Sequence, residues 1–475
     1  MKNILKKITC IFIVIFIGTA FLFAEDDKNI PDSRGLSIEE FIKLAVANDT
    51  VFEEILIDQL SLPYRKDLSL PAGDLILSVR SQYDLILNQS RGEPDVGISL
   101  DKLFPFTGTN ISAEYKITPA LSSDTNTSAL TFLISQPIAE NAFGHATRLK
   151  DKIIDVEVEV TRHQVVEAYE DYLAAVITAY YNWYSAYENL KIGESSYQQN
   201  LKLLDNIRER QRNSIALPID VNKINVQVLA KKENLIVLQE KYENMLNFIK
   251  QTIRYKGGEV LTPLDPLQYE NREILFEGDY ERFVKTSRTY DILNFLETKS
   301  SLEVRRDADS LLPSTNLLLG YKVQGEQWRI KNEDDYIFAG VSIEWPLPGQ
   351  VERAEYETSK ILYHKTQLSN KNKYVQLDTD LRNIFAQIER EKELIALAEE
   401  KIAFAEAILE DETKNYAYGK VSLNDFIDAA NRVDDSRFNK ILHFVQLKIL
   451  TTEWLRLTDQ LVLKKDIKWQ EGKRI

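Results

Sequence analysis

LISQPIAENAFGHATRLK (residues 133–150) and VSIEWPLPGQVERAEYETSK (residues 341–360) share one construction. Each opens on alternating apolar and polar residues, reaches a Pro-Ile or Pro-Leu step, and passes a glycine into a long stretch of helical spacing. Period two marks a strand and a period between three and four marks a helix, so both stretches predict a strand that turns directly into a helix. A second matched pair lies downstream: RNSIALPIDVNKINVQV begins at 212 and AYGKVSLNDFIDAANRV at 417, which sets Asp220 opposite Asp425. Self-similarity of this kind is an internal repeat. Each half reads helix, strand, strand, long helix, turn, returning helix, and residues 256–278 join the two.

The alternating pattern gives four strands: TNISAEYKIT (109–118), SALTFLISQPI (128–138), TNLLLGYKVQG (315–325) and FAGVSIEWPL (338–347). At about nine to eleven residues they have the length that a tilted strand needs to cross a bilayer. Between Val351 and Tyr418 there is neither glycine nor proline, and one helix over that run would extend roughly 100 Å. Leu377, Leu381, Ile384, Ile388, Ile395, Ala398, Ile402, Ala405 and Leu409 step by threes and fours as in a coiled coil, with Glu391 in the one missed seam position. His145 to Arg212 forms a similar run broken only by Gly193. Its stripe of Tyr169, Tyr172, Val176, Tyr180 and Trp183 reads as packing rather than a ligand site.

Upstream of the repeats, Lys2, Lys6 and Lys7 precede an apolar run from Ile8 to Phe23. Residues 1–24 are therefore expected to be a secretory signal peptide, with a first repeat over 25–256 and a second over 257–475. The only cysteine, Cys10, lies in that leader, so disulfides, thiolate metal sites and a cysteine nucleophile are excluded from the mature chain. With 59 basic and 73 acidic residues the net charge is −14, and no basic footprint for nucleic acid stands out. His145, His163, His364 and His443 are scattered, with no HExxH, GxSxG or phosphate-cradling loop. An enzyme is not expected, and neither a metal nor a cofactor.

On the two strand-to-helix junctions, the opening LSIEEFIKLAVAND and the paired NYAYGKVSLNDFIDA and IALPIDVNKINVQ, the chain resembles the TolC-type outer-membrane efflux proteins. The resemblance implies a mainly α fold with a membrane β-barrel part. It further implies a homotrimer in which each chain lends four strands to a shared β-barrel and its helices to a periplasmic α-barrel. Physics agrees, because four strands cannot close a barrel alone and open strand edges are not tolerated in lipid. The implied function is an export duct contacting outer-membrane lipid, a periplasmic adaptor (membrane fusion protein) and an inner-membrane transporter of RND or ABC type. The competing reading is an exported periplasmic coiled-coil scaffold without a pore, which leaves the strand pairs unexplained.

By the same resemblance, the turn after each long helix is the periplasmic tip. Gly419, Ser422 and Pro218 shape the two turns. Asp425 and Asp428 match paired acids that ring the constriction and favour cations, and Tyr416 and Asp220 match a hydrogen-bonded latch. Two departures stand out: Val421 replaces a basic latch residue, and Ser214 replaces the glycine expected in the first turn. The residues alone offer a plainer role for the acids, since Ser422 with Asp425, and Pro218 with Asp220, are good helix starts.

Overall fold

A computed structural model describes residues 33–86, 91–118, 127–264, 274–325 and 334–462. The expected signal peptide over 1–24 lies outside the described residues. No helix among them is long and apolar enough to cross a membrane.

The two halves match in length along their long helices. Helix α4 spans His145–Arg212 and α8 spans Gln350–Ala417, each of 68 residues; α5 (Pro218–Thr252) and α9 (Leu423–Leu457) each have 35. A helix of 68 residues is about 100 Å long. α4 packs on α5 and α9, and α8 packs on α9. The seam expected in α8 is where the packing lies: Leu377, Leu381, Ile388, Ala398 and Ala405 are buried. At the missed seam position, Glu391 Oε2 lies 2.8 Å from Nδ1 of His443 on α9, so a polar pair fills the gap. Gly193 does not break α4. A Cβ there would meet Leu238 Cδ1 at 2.6 Å, so the glycine admits close packing by α5.

The aromatic stripe of α4 forms the main core. Trp183 and Tyr180 are fully enclosed against α1 (Ile38–Asn48), which contributes Phe41 and Ala45. The Tyr180 hydroxyl bonds the carbonyls of Leu36 and Leu264 at 2.8 and 3.0 Å. Those carbonyls flank a small parallel sheet in which β1 (Ser33–Leu36) pairs with β6 (Val260–Pro263). The segment expected to be a plain connection thus holds a strand that ties the second half back to the chain's beginning.

The large sheet corrects the strand count. Between α1 and the expected strands lie α2 (Thr50–Ile57), a 3₁₀ turn (Asp58–Tyr64) and α3 (Arg65–Ser69), and then an additional hairpin, β2 (Leu75–Ile86) and β3 (Arg91–Phe104). β4 (Thr109–Thr118), β5 (Thr127–Pro137), β7 (Ser314–Gly325) and β8 (Asp334–Glu344) follow. Six strands pair antiparallel in the order β2-β3-β4-β5-β7-β8. The sequence reading missed β2 and β3 because they have no counterpart in the second half, where α6 (Phe276–Thr286) and α7 (Arg288–Asp309) lead straight into β7.

Register gives the sheet two unlike faces. One row of partners across all six strands is Leu77, Leu100, Ala113, Phe132, Tyr321 and Ile337; the row beside it, on the other face, is Ser78, Ser99, Glu114, Thr131, Lys322 and Tyr336. An apolar face and a polar face that alternate residue by residue are what a barrel wall between lipid and water requires.

At the first junction the chain turns through Asn141, Phe143 and Gly144, all with positive φ. Asn141 Oδ1 accepts the Thr147 N–H at 3.1 Å, and Asp309 at the end of α7 accepts the Asn141 N–H at 2.6 Å. Gly144 and its repeat partner Gly349 both take left-handed conformations, φ 77° and 69°, immediately before α4 and α8.

Candidate functional site at the helical tip

Because α4 and α8 both leave the sheet end, their C-termini lie together at the opposite end. The two turns there are built alike. In the first, the Ser214 and Ile215 N–H groups donate to Gln211 and Arg210 carbonyls at 2.9 and 2.8 Å; in the second, Gly419 and Lys420 donate to Tyr416 and Asn415 at 3.1 and 2.9 Å. This is the Schellman pattern, which needs a left-handed residue just past the helix. Gly419 has φ 69° and Ser214 has φ 58°. A side chain in that region costs about 1–2 kcal/mol. Ser214→Gly is accordingly expected to raise stability by about 1 kcal/mol, read as a higher unfolding midpoint in guanidinium.

The returning helices then restart on capping bonds. Ser422 Oγ accepts the Asp425 N–H at 3.3 Å and donates to Asp425 Oδ2 at 2.7 Å, while the Ser422 N–H reaches the same carboxylate at 3.1 Å. These bonds, the hydroxyl's first and the backbone's second, hold the Asp425 carboxyl below its ordinary pKa. Pro218 opens α5, and Asp220 Oδ2 accepts the Leu217 N–H at 3.2 Å. Asp220 and Asp425 therefore both serve as first-turn caps. Asp428 does not: it is exposed, shares the outward side of α9 with Asp425, and makes no hydrogen bond or ion pair among the described residues.

Tyr416 sits between the two turns. Its ring stacks on Phe426 with centroids 5.6 Å apart, and the Arg210 guanidinium lies 4.8 Å from its centroid. Within one chain Tyr416 and Asp220 share no hydrogen bond. Burial raises the phenol's pKa; Arg210 opposes that rise, and the charge of Asp220 adds to it. The sequence reading did not single out Arg210. It supplies, from the other half of the repeat, a cation beside Tyr416 where Val421 has none, and only superposing the two turns in space brings it there. Leu204, Ile207, Ile224, Val228 and Leu423 form a small buried core at this end. Further along the helices, Lys231 Nζ meets the buried Asp434 at 2.8 Å, Ser196 bonds the same carboxylate, and Gln227 bonds Asn431 at 2.9 Å. Three helices are pinned together by that polar cluster.

At the other end of α9, one set of carboxylates has the spacing of metal ligands: Glu167, Glu170 and Asp459 bring oxygens within 4.8 Å of one another. The buried Arg288 guanidinium occupies their centre, at 3.2 Å from Glu167, 2.5 Å from Glu170 and 3.2 Å from Asp459. The chain's own cation thus compensates a set that would otherwise suit a divalent ion.

No protein-family model matches the chain, and no curated protein matches it in sequence. Solved structures do match it in shape. The outer-membrane channel OprN aligns with TM-score 0.69 and 13% identity over 89% of each chain. The outer membrane protein VceC of Vibrio cholerae aligns with TM-score 0.67 and 12% identity, over 89% of this chain and 95% of that one. The open state of the Neisseria gonorrhoeae MtrE outer membrane channel aligns with TM-score 0.67 and 12% identity over 89% of each. With its doubled helix hairpins below a two-faced antiparallel sheet, the chain has the fold of the TolC-type outer-membrane efflux channels.

Proposed function

We propose that the protein is a passive export duct of the outer membrane, assembled from three copies. The observation that carries this reading is the pair of unlike faces on one sheet, one apolar and one polar, joined to helices about 100 Å long. A scaffold has no use for an apolar sheet face of that extent. Exposed apolar residues along α5 (Val226, Leu229, Ile236) and α8 (Leu394, Leu397, Phe404) suit packing against neighbouring copies. Cargo would arrive from an inner-membrane transporter, of RND or ABC type, through a periplasmic adaptor docked at the tip. Nothing in the tip geometry suits covalent chemistry, and energy for transport would come from the partners.

In a trimer, Asp425 and Asp428 would set six carboxylates around one axis. Such a ring attracts cations and repels anions. Tyr416, Asp220 and Arg210 would hold the turns closed around it. The test is single-channel conductance of the purified protein in planar bilayers. Native channels are expected to be narrow, cation-selective and blocked by divalent ions.

The two roles of the acids separate by mutation. Asp428→Asn is expected to weaken divalent block several-fold with the unfolding midpoint unchanged. Ser422→Ala should lose about 1 kcal/mol of helix capping with selectivity retained. Divalent block untouched by Asp428→Asn would remove that residue from the constriction. A protein neither trimeric nor membrane-associated would overturn the duct.

A further inference from the structure

We infer that the additional hairpin β2-β3 belongs to the membrane wall, so that each chain contributes six strands and three copies close a barrel of eighteen. This rests on the duct reading and concerns its outer mouth. The hairpin continues the faces of the other four strands. Leu77 and Leu100 extend the apolar row of β4, β5, β7 and β8, and Val79 and Ile98 extend the next row, paired with Tyr115. Val79 and Leu77 are 69% and 64% exposed, so nothing else among the described residues covers this part of the face.

The hairpin also has the height of the wall. β2 and β3 have 12 and 14 residues, enough to cross a bilayer. The turn between β3 and β4 is fixed at the level where the wall meets the helices: Arg148 donates to the Phe106 carbonyl at 2.7 Å, and Gln136 to the Thr107 carbonyl at 2.9 Å. β3 therefore ends at the foot of the wall, beside the start of β4.

The edges of the sheet are complementary as well. β2 and β8, of 12 and 11 residues, are the two ends of the sheet and run in opposite directions. β2 holds no glycine or proline, and a long, apolar, unpaired edge in lipid is not stable. With an even number of strands per chain, β8 of one copy meets β2 of the next in the antiparallel sense that every other pairing already has. The occupant of each edge is a second copy of this chain. Barrel diameter grows roughly in proportion to strand number, so the mouth would be about half again as wide as a twelve-strand barrel.

Paired cysteines test this in the full-length protein, extracted as the native trimer, with Cys10→Ser in every variant. One cysteine is placed at Ser78, Arg80 or Gln82 in β2 and one at Gly340 or Ser342 in β8; a second series places Ser112→Cys in β4 with the same β8 positions. After mild oxidation, covalent trimers on a denaturing gel are expected in at least one register of the first series and in none of the second. Trimers from the β4 series would place the hairpin outside a twelve-strand wall and overturn the inference while leaving the duct standing. No cross-link in either series, from a verified membrane trimer, would equally overturn the β2-to-β8 seam. Absence of a membrane trimer in the native chain would instead count against the duct.

Discussion

Gly144→Ala is expected to destabilise the protein by roughly 2–5 kcal/mol, far more than Gly349→Ala at the repeat-equivalent position. Both glycines have left-handed backbones, φ 77° and 69°, so either substitution incurs about 1–2 kcal/mol from backbone conformation. The surroundings differ. A Cβ on Gly144 would lie 2.2 Å from the Phe106 carbonyl oxygen, whereas on Gly349 the nearest atom is the Pro346 oxygen at 3.3 Å. Backbone cannot swing aside as a side-chain tip can, and overpacking of this kind adds about 1–3 kcal/mol. Guanidinium unfolding followed through the fully enclosed Trp183 and Trp454 reads the difference. Equal losses at the two sites would mean that the β3-β4 turn is not seated on the first junction.

The second large effect is Arg288→Met, expected to cost about 3–5 kcal/mol at neutral pH by leaving buried carboxylates without their cation. Glu170 and Arg288 are 0% and 3% exposed, so water cannot substitute. The loss should shrink near pH 5, where the orphaned acids can take up protons. A native pH dependence accompanies it. Burial first, and the charge of Asp459 second, raise Glu167 from 4.5 to about 7. Its folded pKa thus exceeds its unfolded one, so the folded state holds the proton more tightly between those values. That contribution to stability is complete below about 4.5 and is lost as pH rises through about 7. Glu167→Gln should flatten stability over this window, and an unchanged pH profile would show that Glu167 ionises freely.

The fold was legible where the chain repeats itself. Junctions, long helices, seams and turns each carry a local pattern, and the second copy of each confirms the first. The strands β2 and β3 were not read, although Leu75, Leu77 and Val79 alternate clearly with Ile76, Ser78 and Arg80 in all but one place. Without a partner in the other half, that alternation did not stand out. The site divides in the same way. Ser422 and Asp425 lie three residues apart, so their cap was readable from spacing. Arg210 and Tyr416 are more than two hundred residues apart in sequence, and only the folded turns set the cation over the ring. The Arg288 cluster draws on three separate helical regions and has no local signature at all.

The matched helix lengths act as a ruler. One residue inserted in α4 would turn everything beyond it by about 100° and move its tip by about 1.5 Å. The core of Leu204 and Ile207 would then face the wrong way, and one turn would stand proud of the other. Substitutions leave the ruler intact; insertions do not. Such a molecule can change nearly all of its side chains while keeping its count of residues, which fits a chain that aligns over 89% of its length at only 13% identity.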